Sequence, residues 1–204
     1  MKKTLFLLFI TFSFLKCQTK SGKTEYDSVE IKEINEIVQA IIIQDSLNVL
    51  KNITDSRMFC SELKKIEIEI PIKRKDGLIF PPNLGNRDIN EIVNIKIENK
   101  LFFSKQDSLY IMEQSLKPQK FKIDKTITNK LNATTFENEM KKRKSGKQYD
   151  FYEMKIPIFS LDRQKVYIEL DHRCGSLCGS GRAISLKKIN GKWKIIEKWR
   201  TWIS

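Results

Sequence analysis

The tightest constraint on this chain lies near its end, where Asn190-Gly191 separates two segments of alternating character. Both residues accept the positive φ that a two-residue hairpin turn demands. Upstream, Val166, Ile168 and Leu170 alternate with Tyr167, Glu169 and Asp171, and Ile184 and Leu186 alternate again. Period-two alternation rich in β-branched side chains marks a strand with one buried face. Residues 152–159 and 193–203 read as two more strands, with a turn at 161–164 and a loop at 173–181. The C-terminal quarter thus predicts an antiparallel four-stranded meander. A sheet of that kind must bury one face against another layer.

The cover is found near the other end. Val29, Ile31, Ile34, Ile37, Val38, Ile41 and Ile42 recur at spacings of three and four, which predicts a helix over 29–44 with Asp27 or Ser28 as its N-cap. The fold class is therefore α+β: an N-terminal helix packed on an antiparallel sheet that ends in a four-stranded meander, with residues 27–204 as one domain. Between these parts, residues 46–52 read as a short helical turn. Ile66, Ile68, Ile70 and Ile72 alternate with Glu67, Glu69 and Pro71, which predicts a half-buried strand with both glutamates toward solvent. Residues 73–77 turn the chain away, and 81–88 read as a loop. A shorter strand is expected through Val93, Ile95 and Ile97. A helix over 104–114 is expected with Ser104 as cap and Leu109, Ile111 and Met112 inward. A short strand is expected over 117–124, and a polar, basic excursion over 125–149. There is no solenoid-type repeat.

The first residues read as an address. Lys2 and Lys3 precede an apolar stretch over 5–15, too short to span a bilayer and placed where a secretory signal belongs. Cys17 follows at once. A Cys in that place resembles the bacterial lipoprotein signal, in which the Cys becomes the lipidated first residue. Phe14 and Lys16 stand where that signal usually carries Leu and a small residue, a looser form similar to that of Bacteroidota lipoproteins. The resemblance implies a signal peptide over 1–16, acylation of Cys17, a polar tether over 17–26, and a place in the cell envelope, held on a membrane and facing the periplasm or the cell surface. Cleavage after Ser13 and an uncut anchor are the competing readings. No apolar run reaches the ~18 residues of a spanning helix, which excludes a multi-pass membrane protein. Hydrophobic content of 40% excludes wholesale disorder.

The net charge of +13 is localised. One cluster is Lys141, Lys142, Arg143, Lys144 and Lys147. The other lies in 182–200, where Arg182, Lys187, Lys188, Lys192, Lys194, Lys198 and Arg200 face only Glu197. Local excess of one sign is a candidate surface for an anionic partner. The 141–147 run is that candidate, with an anionic envelope component as partner; the plain alternative is a solvated loop and strand faces. Nucleic acid is a poor fit to an exported chain.

One constellation carries chemistry. Residues 171–181 read Asp-His-Arg-Cys-Gly-Ser-Leu-Cys-Gly-Ser-Gly and hold the only His and two of the four Cys. In an oxidising compartment Cys174 and Cys178 should bond, stapling the tip of the hairpin. Three alternatives stay open. Cys174, Cys178 and His172, with Asp171 nearby, could bind Cu(I) or Zn(II) as a thiolate site. The pair could be a redox dithiol. A Cys with a neighbouring His could be a nucleophile. Cys60 is left over, either buried and free or bonded to one of the pair. No phosphate loop, nucleophile elbow or dinucleotide fingerprint is present. Trp193, Trp199 and Trp202 read as core or sheet-face residues. The chain therefore reads as a binding or structural module rather than an enzyme, with no catalytic residues and no cofactor assigned.

Pro157-Ile158-Phe159-Ser160, the Cys-Gly-Ser-Leu-Cys-Gly-Ser-Gly run over 174–181, Asn190-Gly191-Lys192-Trp193-Lys194 and Trp202-Ile203-Ser204 together resemble a set of small, uncharacterised lipoproteins of Bacteroidota. The resemblance covers 157–204, with residues 107–114 as an extension. It implies an envelope lipoprotein and no particular activity. The closing hairpin is also similar to the ends of cystatin-like and NTF2-like α+β domains.

Overall fold

A computed structural model describes residues 25–83, 85–175 and 178–204. The expected signal segment and Cys17 lie outside the described residues. The first element among the described residues is α1 (Ser28–Gln44), and its start is written in the sequence. Asp27 accepts from Glu30 N at 2.8 Å while Glu30 Oε2 accepts from Asp27 N at 3.0 Å, a reciprocal capping box. Ile34, Ile37, Val38, Ile41 and Ile42 form its buried stripe. Burying each of these side chains contributes roughly 1.5–3 kcal/mol.

The chain continues through β1 (Met58–Cys60), β2 (Glu62–Lys64), β3 (Ile68–Glu69), β4 (Arg87–Asp88), α2 (Ile89–Val93), β5 (Lys96–Ile97), β6 (Lys100–Leu101), α3 (Asp107–Gln114) and β7 (Lys120–Lys122). It ends with α4 (Lys125–Thr128), β8 (Ala133–Thr134), α5 (Phe136–Lys144), β9 (Asp150–Met154), β10 (Ile158–Phe159), β11 (Lys165–Cys174), β12 (Cys178–Ile189) and β13 (Lys192–Ile203). The main sheet runs β13-β12-β11-β9-β1-β8, with β10 also on β11. Its C-terminal part is the expected antiparallel meander. The β12–β13 turn has φ of 49° at Asn190 and 73° at Gly191, as the Asn-Gly pair requires. The expected strand over 152–159 is present in two pieces, β9 and β10, both paired to β11. Between them Ile156 N turns to Lys64 O at 2.8 Å, and Pro157 has no N–H to give.

The middle of the chain departs from expectation in five places. The half-buried strand over 66–72 is not formed: only Ile68–Glu69 pair, in parallel with Arg87–Asp88, and Ile70 and Ile72 face solvent. Residues 46–52 are turns rather than helix, with Leu50 bridged to Leu131. Val93 ends a helix instead of starting a strand, because Asp88 caps Asn90 N at 2.7 Å. In α3, Ile111 is buried but Leu109 is 75% exposed, since residues two apart on a helix cannot share a face. The N-terminal turn of α3 is held by Asp107, which accepts from Ser104 N and Oγ, rather than by Ser104 as cap.

The fifth departure is the stretch 125–149, which is not a mere excursion. It supplies α4, then β8, which lies parallel to β1, then α5, which carries the chain across to β9 on the other side of β1. The loop expected over 173–181 also shrinks, because pairing between β11 and β12 continues out to Cys174 and Cys178.

Alternation along β11 divides the interior in two. Val166, Ile168 and Leu170 face α1, together with Met154, Ile184, Leu186 and Trp193. Tyr167 faces the other way, into a cluster with Ile66, Ile89, Ile92, Phe102, Phe103, Ile111 and Ala183. The intervening segment 66–115 therefore covers the face that sequence alone left open. Acids on α1 and its C-cap Asp45 meet bases on the sheet and in the β10–β11 turn: Glu33 pairs with Lys188 and Arg163, and Asp45 with Arg182 and Lys198. Part of the C-terminal basic excess is thus consumed inside the molecule.

Gly181 in β12 lies directly beneath Trp202 of β13, where an added Cβ would sit inside van der Waals contact of the indole. Gly181→Ala is expected to destabilise the fold by about 1–3 kcal/mol through overpacking. Urea unfolding of the two proteins measures it; equal midpoints would contradict this packing.

Candidate functional site

Cys174 and Cys178 are disulfide-bonded at the end of the β11–β12 hairpin, with Cα atoms 5.0 Å apart. The staple expected from the sequence is present. Cys60 is free and buried in β1. Burial, then the neighbouring Glu153 carboxylate, pushes its thiol up to about 12, so it is unreactive at neutral pH.

The stapled tip is built into a polar net. His172 and Cys174 are two apart on β11 and share a face, and strand pairing sets His172 opposite Tyr152 and Cys174 opposite Asp150. The imidazole stacks on Tyr152, with ring centroids 4.8 Å apart. Its Nε2 meets Asp150 Oδ1 at 2.6 Å, and its Nδ1 lies 3.8 Å from Cys174 Sγ. Arg57, from the approach to β1, donates to Asp150 Oδ2 at 3.1 Å and to the Tyr152 hydroxyl at 3.2 Å. The Tyr149 hydroxyl donates to the Gly175 carbonyl. The result is a line Cys174–His172–Asp150–Arg57 with each group oriented by the next.

The metal reading does not gain from this geometry. Closed in a disulfide, the sulfurs are not thiolate ligands. Asp171 does not stand with His172, because successive strand residues point to opposite faces. Among the described residues no group of three or more His, Cys, Asp and Glu side chains is placed to hold a metal ion.

Asp171 belongs to a second site on the far face. It lies opposite Glu153, and both are buried. Lys64, Lys155 and Arg173 surround Glu153 at 3.1, 3.4 and 3.3 Å. Arg173 and the Trp202 indole N–H donate to Asp171 at 3.0 and 2.9 Å. Burial pushes Glu153 up, but Lys155, Lys64 and Arg173 outweigh it and hold the carboxyl below its usual range. For Asp171 burial wins over Arg173 and Trp202, and the carboxyl is held above its usual range.

The basic run is divided by α5. Lys142 is turned inward to the fully buried Glu139 at 2.8 Å, whose carboxylate also accepts from Thr134 Oγ1 at 2.6 Å. Lys141, Arg143, Lys144 and Lys147 are exposed and have no ion-pair partner among the described residues. Their place in and just beyond the last turn of α5 complements the helix dipole. A cleft of about 200 Å³ separates α5 from the stapled tip, lined by Met140, Arg143, Tyr149, Arg173 and Trp202 beside the bridge.

Sequence reasoning missed Arg57, Asp150, Tyr152, Glu153 and Arg173. Tyr152 follows from pairing the two expected strands, whereas Asp150 lies just before the expected strand 152–159 and joins it only in the structure. Arg57 has no local signal. No protein family, curated protein or solved structure matches this chain.

The opposed carboxyl shifts give opposite pH signatures. The stability that Glu153 contributes is present above the ordinary Glu range and is lost as pH falls through its lowered pKa. Ionised Asp171 costs the folded state, so its effect grows as pH rises from the ordinary Asp range through its raised pKa. Glu153→Gln should therefore destabilise at neutral pH and much less in acid. Asp171→Asn, which keeps an acceptor for Trp202, should become relatively more favourable as pH rises. Urea unfolding over a pH series tests both, and parallel pH curves for the two variants would refute the assignment.

Proposed function

We propose that this chain is an exported, lipid-anchored binding module of the cell envelope, whose stapled hairpin tip and neighbouring helix α5 form the face offered to an anionic envelope component. The observation that carries the reading is the closed Cys174–Cys178 bridge at the edge of a cleft to which α5 contributes the guanidinium of Arg143, with no ion-pair partner among the described residues. The bridge and the Arg57–Asp150–His172 net fix the backbone of the tip before any ligand arrives, which lowers the ordering cost of binding. Lys141, Arg143, Lys144 and Lys147 bring charge that no internal acid neutralises among the described residues. Membrane attachment through acylated Cys17 is part of the same reading, since two or more acyl chains hold a protein firmly on a bilayer.

The test uses dextran sulfate as a soluble polyanion. Affinity should fall steeply with salt, because exposed charges are screened. Replacing Lys141, Arg143, Lys144 and Lys147 by Gln should weaken binding at least about tenfold. Binding that ignores both salt and these substitutions would overturn the reading.

The Cys174–His172–Asp150 line favours a second reading, thiol–disulfide exchange. A partner thiolate would attack the exposed Cys178 Sγ, the Cys174–Cys178 bond would break, and Cys174 would leave as a thiolate beside the His172 ring. The partner's second thiol would then attack the mixed disulfide, leaving the partner oxidised and both cysteines as thiols. Stabilising the leaving thiolate speeds exchange. His172→Gln is therefore expected to slow reduction of the bridge by glutathione about tenfold. An unchanged rate would reduce the bridge to a staple.

A further inference from the structure

The alternation at 66–72 predicted an apolar strand face; its first part, Ile66 and Ile68, is covered, and its second part, Ile70 and Ile72, is exposed. Beyond β3 the chain forms a hairpin finger. Lys73 bridges Ile79, Phe80 N donates to Ile72 O at 3.1 Å, and Arg74 N donates to Leu78 O at 2.8 Å. This register puts Ile70, Ile72, Leu78 and Phe80 on one side, with Arg74 over the Phe80 ring, and Ile79 on the other side with Lys73, whose long side chain stands at the edge of the finger. All five are between 52% and 69% exposed. Four exposed apolar side chains gathered on one side mark a surface that meets something.

The finger is held at its root rather than trailing. The Glu69 carboxylate accepts from Asn83 N at 2.9 Å and from Asn83 Nδ2 at 2.6 Å, and also from Asn86 Nδ2. These bonds hold the Glu69 carboxyl below its usual range. The tip carries Lys73, Arg74 and Lys75 against Asp76, which pairs with Arg74 at 3.2 Å and accepts from Leu78 N at 3.1 Å. Lys73 and Lys75 have no ion-pair partner among the described residues. The root of the finger also adjoins the place where residues 17–26 would join the domain. Ile68 and Tyr26 line one small cavity, and Lys117 Nζ donates to Glu25 O at 3.1 Å.

We propose that the finger formed by residues 70–80 docks on an anionic phospholipid bilayer, with Ile70, Ile72, Leu78 and Phe80 entering the boundary between headgroups and acyl chains and Lys73 and Lys75 meeting lipid phosphates. Apolar side chains beside cations are the composition of an interfacial anchor, which sits ~5–10 Å into that boundary. A second copy of the chain is a poor occupant, since it would bring two cationic tips together. The proposal rests on the envelope reading above. Its test separates the two, because Cys17→Ser removes acylation from the experiment.

The full-length Cys17→Ser chain carries Leu78→Cys labelled with an environment-sensitive fluorophore; Cys60 is buried and Cys174 and Cys178 are bonded, so the label is placed uniquely. It is mixed with vesicles of three parts phosphatidylethanolamine to one part phosphatidylglycerol, and separately with phosphatidylcholine vesicles. The expected result is a blue shift on the anionic vesicles, quenched by lipids brominated in the acyl chain. Ile72→Ser and Phe80→Ser should each weaken this signal's partitioning about tenfold. Lys73→Gln with Lys75→Gln should remove its preference for the anionic vesicles. A label that stays water-exposed while the chain sediments with vesicles overturns the proposal, because another segment is then the one that binds. A blue shift that grows with protein concentration in the absence of lipid overturns it in favour of a second copy.

Discussion

The structure depends on β11 being buried on both faces while paired on both edges. On one face the requirement is met by aliphatic side chains against α1, which is ordinary hydrophobic packing. On the other face the strand carries Tyr167, Glu169 and Asp171, and β9 adds Glu153. Ionised carboxylates cannot be buried without cations or hydrogen-bond donors close by. Each is supplied from a different part of the chain. Glu169 receives Arg87 at 2.6 Å and the Tyr167 hydroxyl at 2.7 Å, Glu153 receives Lys64, Lys155 and Arg173, and Asp171 receives Arg173 and Trp202. Removing any one partner leaves a buried charge short. These pairs therefore fix the register of the segment 66–115 and of β13 against the sheet more narrowly than apolar contact could.

Legibility in the sequence followed the range of the interactions. The helix α1 was readable because its stripe, its capping box and its end all lie within one short window. The meander was readable because alternation and the Asn-Gly turn are local. The strand expected at 66–72 failed for a specific reason. Alternation reports that a segment has two unlike faces, and it does not report what covers the apolar one. Here the segment splits at Pro71, keeps only Ile66 fully buried and Ile68 partly so, and leaves Ile70 and Ile72 to solvent. The stretch 125–149 hid β8 because a two-residue strand has no period. It hid the inner face of α5 because the residue buried there is Glu139, which no hydrophobic pattern marks.

The stapled tip was half legible. Cys174, Cys178 and His172 stood together in the sequence, and the bridge closes as a disulfide. Their relation to one another was not legible, because it depends on which face of β11 each occupies. His172 and Cys174 point one way, toward Tyr152 and Asp150, while Asp171 points the other way into the buried carboxylate pair. What looked like one cluster of possible ligands is two sites on opposite sides of a strand. The basic run divides similarly: Lys142 is an internal partner of Glu139, and its neighbours are free to meet solvent or a ligand.

The proposed export would link these features, since a hairpin closed by sulfur, a cationic helix end and an apolar finger near the start of the described chain all suit a protein held at a bilayer outside the cytoplasm. The most direct measurement is the intact mass, under non-reducing conditions, of the protein extracted from the membranes of cells that make it. The reading requires a chain that begins at an acylated Cys17 and lacks two hydrogens within the peptide spanning Cys174 and Cys178. A species that begins at Met1, carries no acyl group and has free thiols at both positions would contradict it.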